Sequence, residues 1–171
     1  MEKEGLTEGE MVEIRIRKVG KDLFGALEGM GPFTPEDELR AHGESVVIGA
    51  YAWVEYLRGS ERGRAVRQRL EDPNVRAYAC ALTIAEVVSK AARSGKDPDV
   101  AYSAIVLNSR VIEVDAGASR LAGLKHAEMR RTVKDFGLVD AYLLVYGGSL
   151  RARVLAGDPH LRGVPNALFL G

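Results

Sequence analysis

Five positions fall just past the ends of short apolar segments or at the start of the helical segments that follow them: Gly49, Glu86, Asp115, Asp140 and Asp158. Four of the five are carboxylates. Converging Asp and Glu side chains are what Mg²⁺ or Mn²⁺ requires, since these hard cations take oxygen ligands and retain several waters. Such a metal lowers the pKa of bound water and stabilises the charge that develops in phosphodiester cleavage. Each carboxylate also has a purely structural reading. Thr83-Ile84-Ala85-Glu86 spells a capping box, and Glu86 is spaced to pair with Lys90. Asp140 sits where a helix dipole favours any acid, and Asp158 in "GDPH" suits a turn before proline. Asp115 is fully accounted for as an N-cap and is assigned that role. The remaining three gain weight from their common placement.

Those acids need elements to hold them. "SVVI", "VRAYAC", "VIEV", "ARVLAG" and "ALFL" read as short buried strands. Between them lie the helical segments "YAWVEYL", "RGRAVRQRL", "TIAEVVSKAARSG" ending at Gly95, a segment capped by Asp97 with Pro98 in its first turn, "AGASRLAGLKHAEMRR" and "LVDAYLLVYGG". Strands alternating with helices predict an α/β fold, a doubly wound parallel sheet of about five strands with helices on both faces. Ligands of such sheets bind at the carboxyl ends of the strands, where the acids are expected. Upstream, "MVEIRIRKV" alternates as a half-buried strand. "KDLFGALEGM" and "TPEDELRAHG" read as helical, the latter with Thr34 as N-cap. Together these form a short N-terminal strand-helix arm, residues 1–44, ahead of a domain at 45–171.

Composition narrows the class further. With 171 residues, 46% hydrophobic and 28% charged, the chain has the length and make-up of one soluble domain with a short appendage. No apolar run approaches the roughly 18 residues of a spanning helix, and the first ten residues are too acidic for a signal peptide, so a cytoplasmic protein is expected. The single cysteine, Cys80, excludes an internal disulfide and cysteine-rich zinc sites, and is expected to be a small buried residue. The formal charge of zero conceals an asymmetry: residues 1–45 carry six Lys/Arg against eleven Asp/Glu, a net of −5, which leaves +5 on the body. A basic body suits a polyanionic partner, and an acidic arm can compete for the same surface. Arg58, Arg62, Arg64, Arg67 and Arg69 follow the first strand, while Lys125, Arg130, Arg131 and Lys134 precede Asp140. Of these, Arg58, Arg62 and Lys134 are the candidates for the phosphates of such a polyanion, with Tyr51 for stacking on an unpaired base if it is a nucleic acid. Trp53 beside it is equally suited to a core. His42, His126 and His160 lack metal spacing, and no Ser or Cys stands in a nucleophile motif.

The stretches "VVIGAYAWVEYLRGS", "ALTIAEVVSKA", "KDFGLVDAYLLVYG" and "RVLAGDPHLRGVPNALFL" resemble PIN-domain proteins, particularly the VapC-type toxins of prokaryotic toxin–antitoxin pairs. The resemblance implies a PIN-like fold and a Mg²⁺- or Mn²⁺-dependent endoribonuclease that cleaves RNA with an acidic quartet. It assigns Asp140 and Asp158 as metal ligands and Glu86 as a ligand through water. It also implies an antitoxin partner and a homodimer. The fourth acid of the family, at the end of the first strand, is Gly49 here, and Ala156 stands where the family often has Ser or Thr. Losing a carboxylate removes a ligand and a charge from a site whose affinity rests on charge count, so impaired cleavage is expected. Glu55 lies too far along the following helix to replace it. Residues 1–44 are similar to part of a VapB-type antitoxin, so the inhibitor is either an antitoxin in trans or the arm in cis. The other class of function is a non-catalytic RNA-binding or interaction protein whose groove holds its own arm.

Overall fold

The computed structural model describes residues 43–170. The strand and helices expected at 12–42 lie outside them. Five strands form one parallel sheet: β1 (Glu44–Ile48), β2 (Val75–Cys80), β3 (Arg110–Ile112), β4 (Arg153–Ala156) and β5 (Ala167–Phe169), in the order β3-β2-β1-β4-β5. Six helices connect them: α1 (Ala50–Arg58), α2 (Glu61–Glu71), α3 (Ala81–Arg93), α4 (Pro98–Asn108), α5 (Ala116–Met129) and α6 (Leu138–Ser149). A short 3₁₀ turn, Pro159–Leu161, follows β4.

Successive strand residues point to opposite faces, and the core divides accordingly. Val46 and Ile48 of β1, Ala77 and Ala79 of β2 and Leu155 of β4 pack with Trp53, Val66, Val87, Ala101 and Ile105 from α1 to α4. Val47, Cys80, Val154 and Ala156 face the other way, onto Ala122, Phe136, Ala141, Tyr142, Leu143 and Tyr146 of the α5 and α6 region. The expected sheet with helices on both faces is therefore what forms, and Cys80 is fully buried within it.

Local signals set several boundaries. Asp97 caps α4 by accepting from Asp99 N at 2.8 Å, and Asp115 caps α5 by accepting from Ala118 N at 2.7 Å. Gly95, just past α3, has φ +65, the left-handed conformation in which glycine is favoured. Ser60 caps α2 through Gly63 N at 3.1 Å and donates its hydroxyl to the carboxylate of Glu55. That acid is buried but neutralised by Arg58 at 3.0 Å, so the α1–α2 corner is held by a satisfied charge.

Two expectations fail locally. The capping box at Thr83 does not form: β2 runs straight into α3 with Cys80 as N-cap, so Thr83 falls inside the helix, fully buried, its Oγ1 without a hydrogen-bond partner. The strand expected at "VIEV" ends at Ile112 because β2, its only neighbour among the described residues, ends at Cys80, the residue paired with Ile112.

Candidate functional site at the β1–β4 switch point

Strand order reverses beside β1. The chain steps outward through β2 and β3, then returns to lay β4 on β1's other side. The crevice at the carboxyl ends of β1 and β4 is thus the topological switch point, where parallel sheets bind ligands. Gly49 follows β1 immediately, and Gly157-Asp158 follow β4. The amide of Gly49 donates to Leu155 O at 2.9 Å, extending the β1–β4 ladder to the crevice itself.

Gly49 is buried and serves as N-cap of α1 with φ −79 and ψ 167, a conformation any residue adopts. Its backbone therefore does not demand glycine. A Cβ there would lie 3.1 Å from Leu143 Cδ1, 3.4 Å from Leu155 O and 3.7 Å from Ala156 Cβ. A side chain at 49 would consequently point between α6, one turn beyond Asp140, and the end of β4, two residues before Asp158.

The acids themselves interact. Asp140, in the first turn of α6, has its pKa pushed up to about 6, chiefly by desolvation and then by the charge of Asp158. A backbone hydrogen bond from Gly137 and the nearby His160 work in the opposite direction. Glu86, on α3, is raised by desolvation and then by the charge of Asp140. Glu86 thus feels the charge of Asp140, and Asp140 that of Asp158. Asp115 takes no part in it as a donor, being committed to its cap.

Asp158 Oδ1 accepts from His160 N at 2.8 Å, closing a turn around Pro159, and His160 Nε2 lies 4.0 Å from the same oxygen. Tyr51, on the first turn of α1, packs against the backbone before Asp158: a Cβ on Gly157 would sit 1.9 Å from Tyr51 Cδ1. Arg62 Nη1 donates to the Tyr51 hydroxyl at 2.7 Å. An aromatic ring and a guanidinium therefore stand together beside Gly157. Lys134 is exposed in the loop between α5 and α6. Arg58, at the far end of α1 from Gly49, is engaged by Glu55. Gly137, Gly157 and Leu143 were not singled out by sequence. Only the "GD" pair and the G-x-x-D spacing of Gly137 and Asp140 hinted at two of them.

Residues 46–166 match the family model described as PIN domain. The chain belongs to the PIN domain family. A comparison with curated protein sequences returns no match. Among solved structures, the chain is similar to VapBC2 from Rickettsia felis bound to a promoter DNA fragment, at 12% identity and TM-score 0.58, covering 73% of this chain and 96% of that one. It is similar to DNA-bound VapBC from Salmonella typhimurium at 16% identity and TM-score 0.57, covering 75% and 99%. It also resembles VapC20 from Mycobacterium tuberculosis, titled a sarcin-ricin loop cleaving toxin, at 17% identity and TM-score 0.55, covering 69% and 95%. At these identities the likeness concerns the fold.

PIN domains generally use divalent metal ions. The donors of this crevice match such ions in kind: carboxylate oxygens whose mutual repulsion and desolvation a cation would relieve. In number they fall short. Among the described residues no group of three or more His, Cys, Asp or Glu side chains is gathered to hold a metal. Gly49 is the position from which a further carboxylate would enter. No helix among the described residues is long and apolar enough to cross a membrane.

Proposed function

We propose that this PIN domain is a VapC-type endoribonuclease, acting on RNA in the cytoplasm, whose metal site is weakened by Gly49. The observation that carries this reading is the direction of the missing side chain. Gly49 has no conformational reason to be glycine, and its Cβ direction leads into the space bordered by Leu143 and Ala156, residues that respectively follow Asp140 by one turn and precede Asp158 by two positions. Asp140 and Asp158 would hold the Mg²⁺ or Mn²⁺ ion, with Glu86 joining through water. The metal, when bound, stabilises charge developing on the scissile phosphate. The protein's own groups do the rest. Gly137, against which the Asp140 carboxylate is folded, limits its orientation, and the turn at Pro159 fixes Asp158. Ala156 contributes no hydroxyl to the crevice, a second way in which the chain departs from the family pattern.

On the substrate side, Arg62 and Tyr51 form the rim that meets RNA, the guanidinium on a phosphate and the ring on a base. Lys134 adds charge from the α5–α6 loop. Arg62→Ala is expected to weaken binding of single-stranded RNA roughly fivefold in low salt, with a shallower salt dependence, as measured by fluorescence anisotropy across a salt series. Unchanged affinity and salt slope would remove Arg62 from the interface.

The cleavage test is Mn²⁺-dependent RNA hydrolysis by the Gly49→Asp variant. If it cleaves no RNA under any metal condition, the nuclease reading fails and the non-catalytic RNA-binding alternative takes its place. The regulatory partner in this reading is an antitoxin in trans or residues 1–44 in cis, and the charge asymmetry favours the second. Deleting residues 1–44 is then expected to raise RNA affinity several-fold in low salt, since a competing polyanion is removed. An unaltered affinity in a soluble, folded truncation argues for the partner in trans.

A further inference from the structure

We propose that His126 is a positioning residue for Asp140, acting through the peptide group that joins Phe136 to Gly137. The His126 ring, on the last turn of α5, places Nε2 3.1 Å from Phe136 O. A carbonyl oxygen can only accept, so Nε2 carries the proton and donates it to this bond. The N–H on the other side of the same peptide belongs to Gly137, the N-cap of α6, and the Asp140 carboxylate lies against this residue. Asp140 Oδ2 lies only 2.8 Å from where a Gly137 Cβ would be, so the carboxylate is folded back over this residue. The order of neighbours is therefore imidazole N–H, peptide carbonyl, Gly137, carboxylate.

Two effects follow from that order. A carbonyl that accepts a hydrogen bond polarises its peptide and strengthens the N–H opposite, an enhancement of roughly 10–30% per bond in a low-dielectric setting. The setting is suitable, because the Phe136 side chain is buried and its ring packs 6.4 Å from the His126 ring. The second effect is orientational. The imidazole fixes the plane of the peptide, and with it the direction in which Gly137 N–H points. Two tyrosines of α6 already tie this helix back, Tyr142 to Ser119 Oγ at 2.8 Å and Tyr146 to Glu113 O at 3.1 Å. His126 supplies the corresponding tie at the end of the loop that leads into α6, the loop bearing Arg130, Arg131 and Lys134. Positioning of a ligand by such an outer contact is the usual means by which a fold tunes a carboxylate.

The role of Asp140 as a metal ligand rests on the function proposed above, but the coupling of His126 to Asp140 does not, and the test separates them. In the full chain, His126→Leu removes the donor and His126→Gln retains one at similar reach. At a fixed alkaline pH, NMR reads the Gly137 amide and the Asp140 carboxyl ¹³C signal in each variant. Both signals are expected to move in His126→Leu, the amide proton upfield, and to return most of the way to their original positions in His126→Gln. Unmoved signals in a folded His126→Leu protein, or equal displacement in both variants, would overturn the proposal, the latter because it would report packing alone. In the Gly49→Asp background, Mn²⁺ affinity is expected to fall roughly tenfold in His126→Leu and recover in His126→Gln. Absence of Mn²⁺ binding in the Gly49→Asp parent would count against the metal reading and leave the NMR result to decide the role of His126.

Discussion

Gly49→Asp is expected to raise Mn²⁺-dependent RNA cleavage by at least about 100-fold, the scale on which one preorganised charged or polar group acts at a phosphoryl centre. The backbone already has the φ of −79 and ψ of 167 that aspartate adopts freely. Room is nearly sufficient. The new Cβ would press on Leu143 Cδ1 at 3.1 Å, which is the end of a flexible side chain and has only to yield by a few tenths of an ångström. Overpacking on this scale costs on the order of 1 kcal/mol, so the variant should fold. Gly49→Asn provides the control, because it imposes the same displacement without the charge. If Gly49→Asn matches Gly49→Asp in activity, the gain comes from shape and not from a restored ligand. Adding Asp140→Asn to Gly49→Asp should return cleavage to background.

Asp140→Asn in the otherwise unaltered chain should make the protein more stable at about pH 8 and leave it unchanged at about pH 4. The folded-state pKa of Asp140 is about 6, against an ordinary value of 3.8, with desolvation the leading cause. Between those two values the folded protein binds the proton more firmly than the unfolded chain does. Stability therefore falls as pH rises through this window, and the penalty is fully present above pH 6. Allowing for solvent screening, it is on the order of 1–2 kcal/mol, or about 3–6 °C in Tm for a chain of this size. Asparagine removes the charge while keeping the size of the side chain and its polar oxygen. Thermal denaturation at the two pH values provides the measurement. A variant less stable than its parent at about pH 8 would mean that Asp140 is a stabilising cap and not a strained acid. The proposed site would then lose its main electrostatic signature, since acids held at a cost to stability are the mark of a functional cluster.

Much of this was legible in sequence because much of it is local. Apolar runs of strand length located all five strands. The caps at Asp97 and Asp115 could be read directly, since capping involves residues two or three apart. The same local logic failed at Thr83. Its T-x-x-E spacing is that of a capping box, but whether it caps depends on where the chain enters the helix, and that is decided by β2 passing directly into α3. It failed again at "VIEV", where the extent of β3 is set by a neighbouring strand 30 residues away in the chain, through the Cys80–Ile112 pair.

The site divides along the same line. The sequence by itself determined that Asp158 would follow a strand, that Asp140 would open a helix and that Gly49 would end a strand without a carboxylate, because residue type and strand period are properties of short segments. Only the tertiary structure decided that β4 lies against β1, bringing Gly49 to Ala156 and Gly157 to Tyr51. It alone decided that Asp140 is desolvated beside Asp158, and that a histidine without metal spacing stands one peptide group away from that acid. Those facts depend on strand order and burial, which are set by how distant segments pack and have no signature in any short stretch of chain.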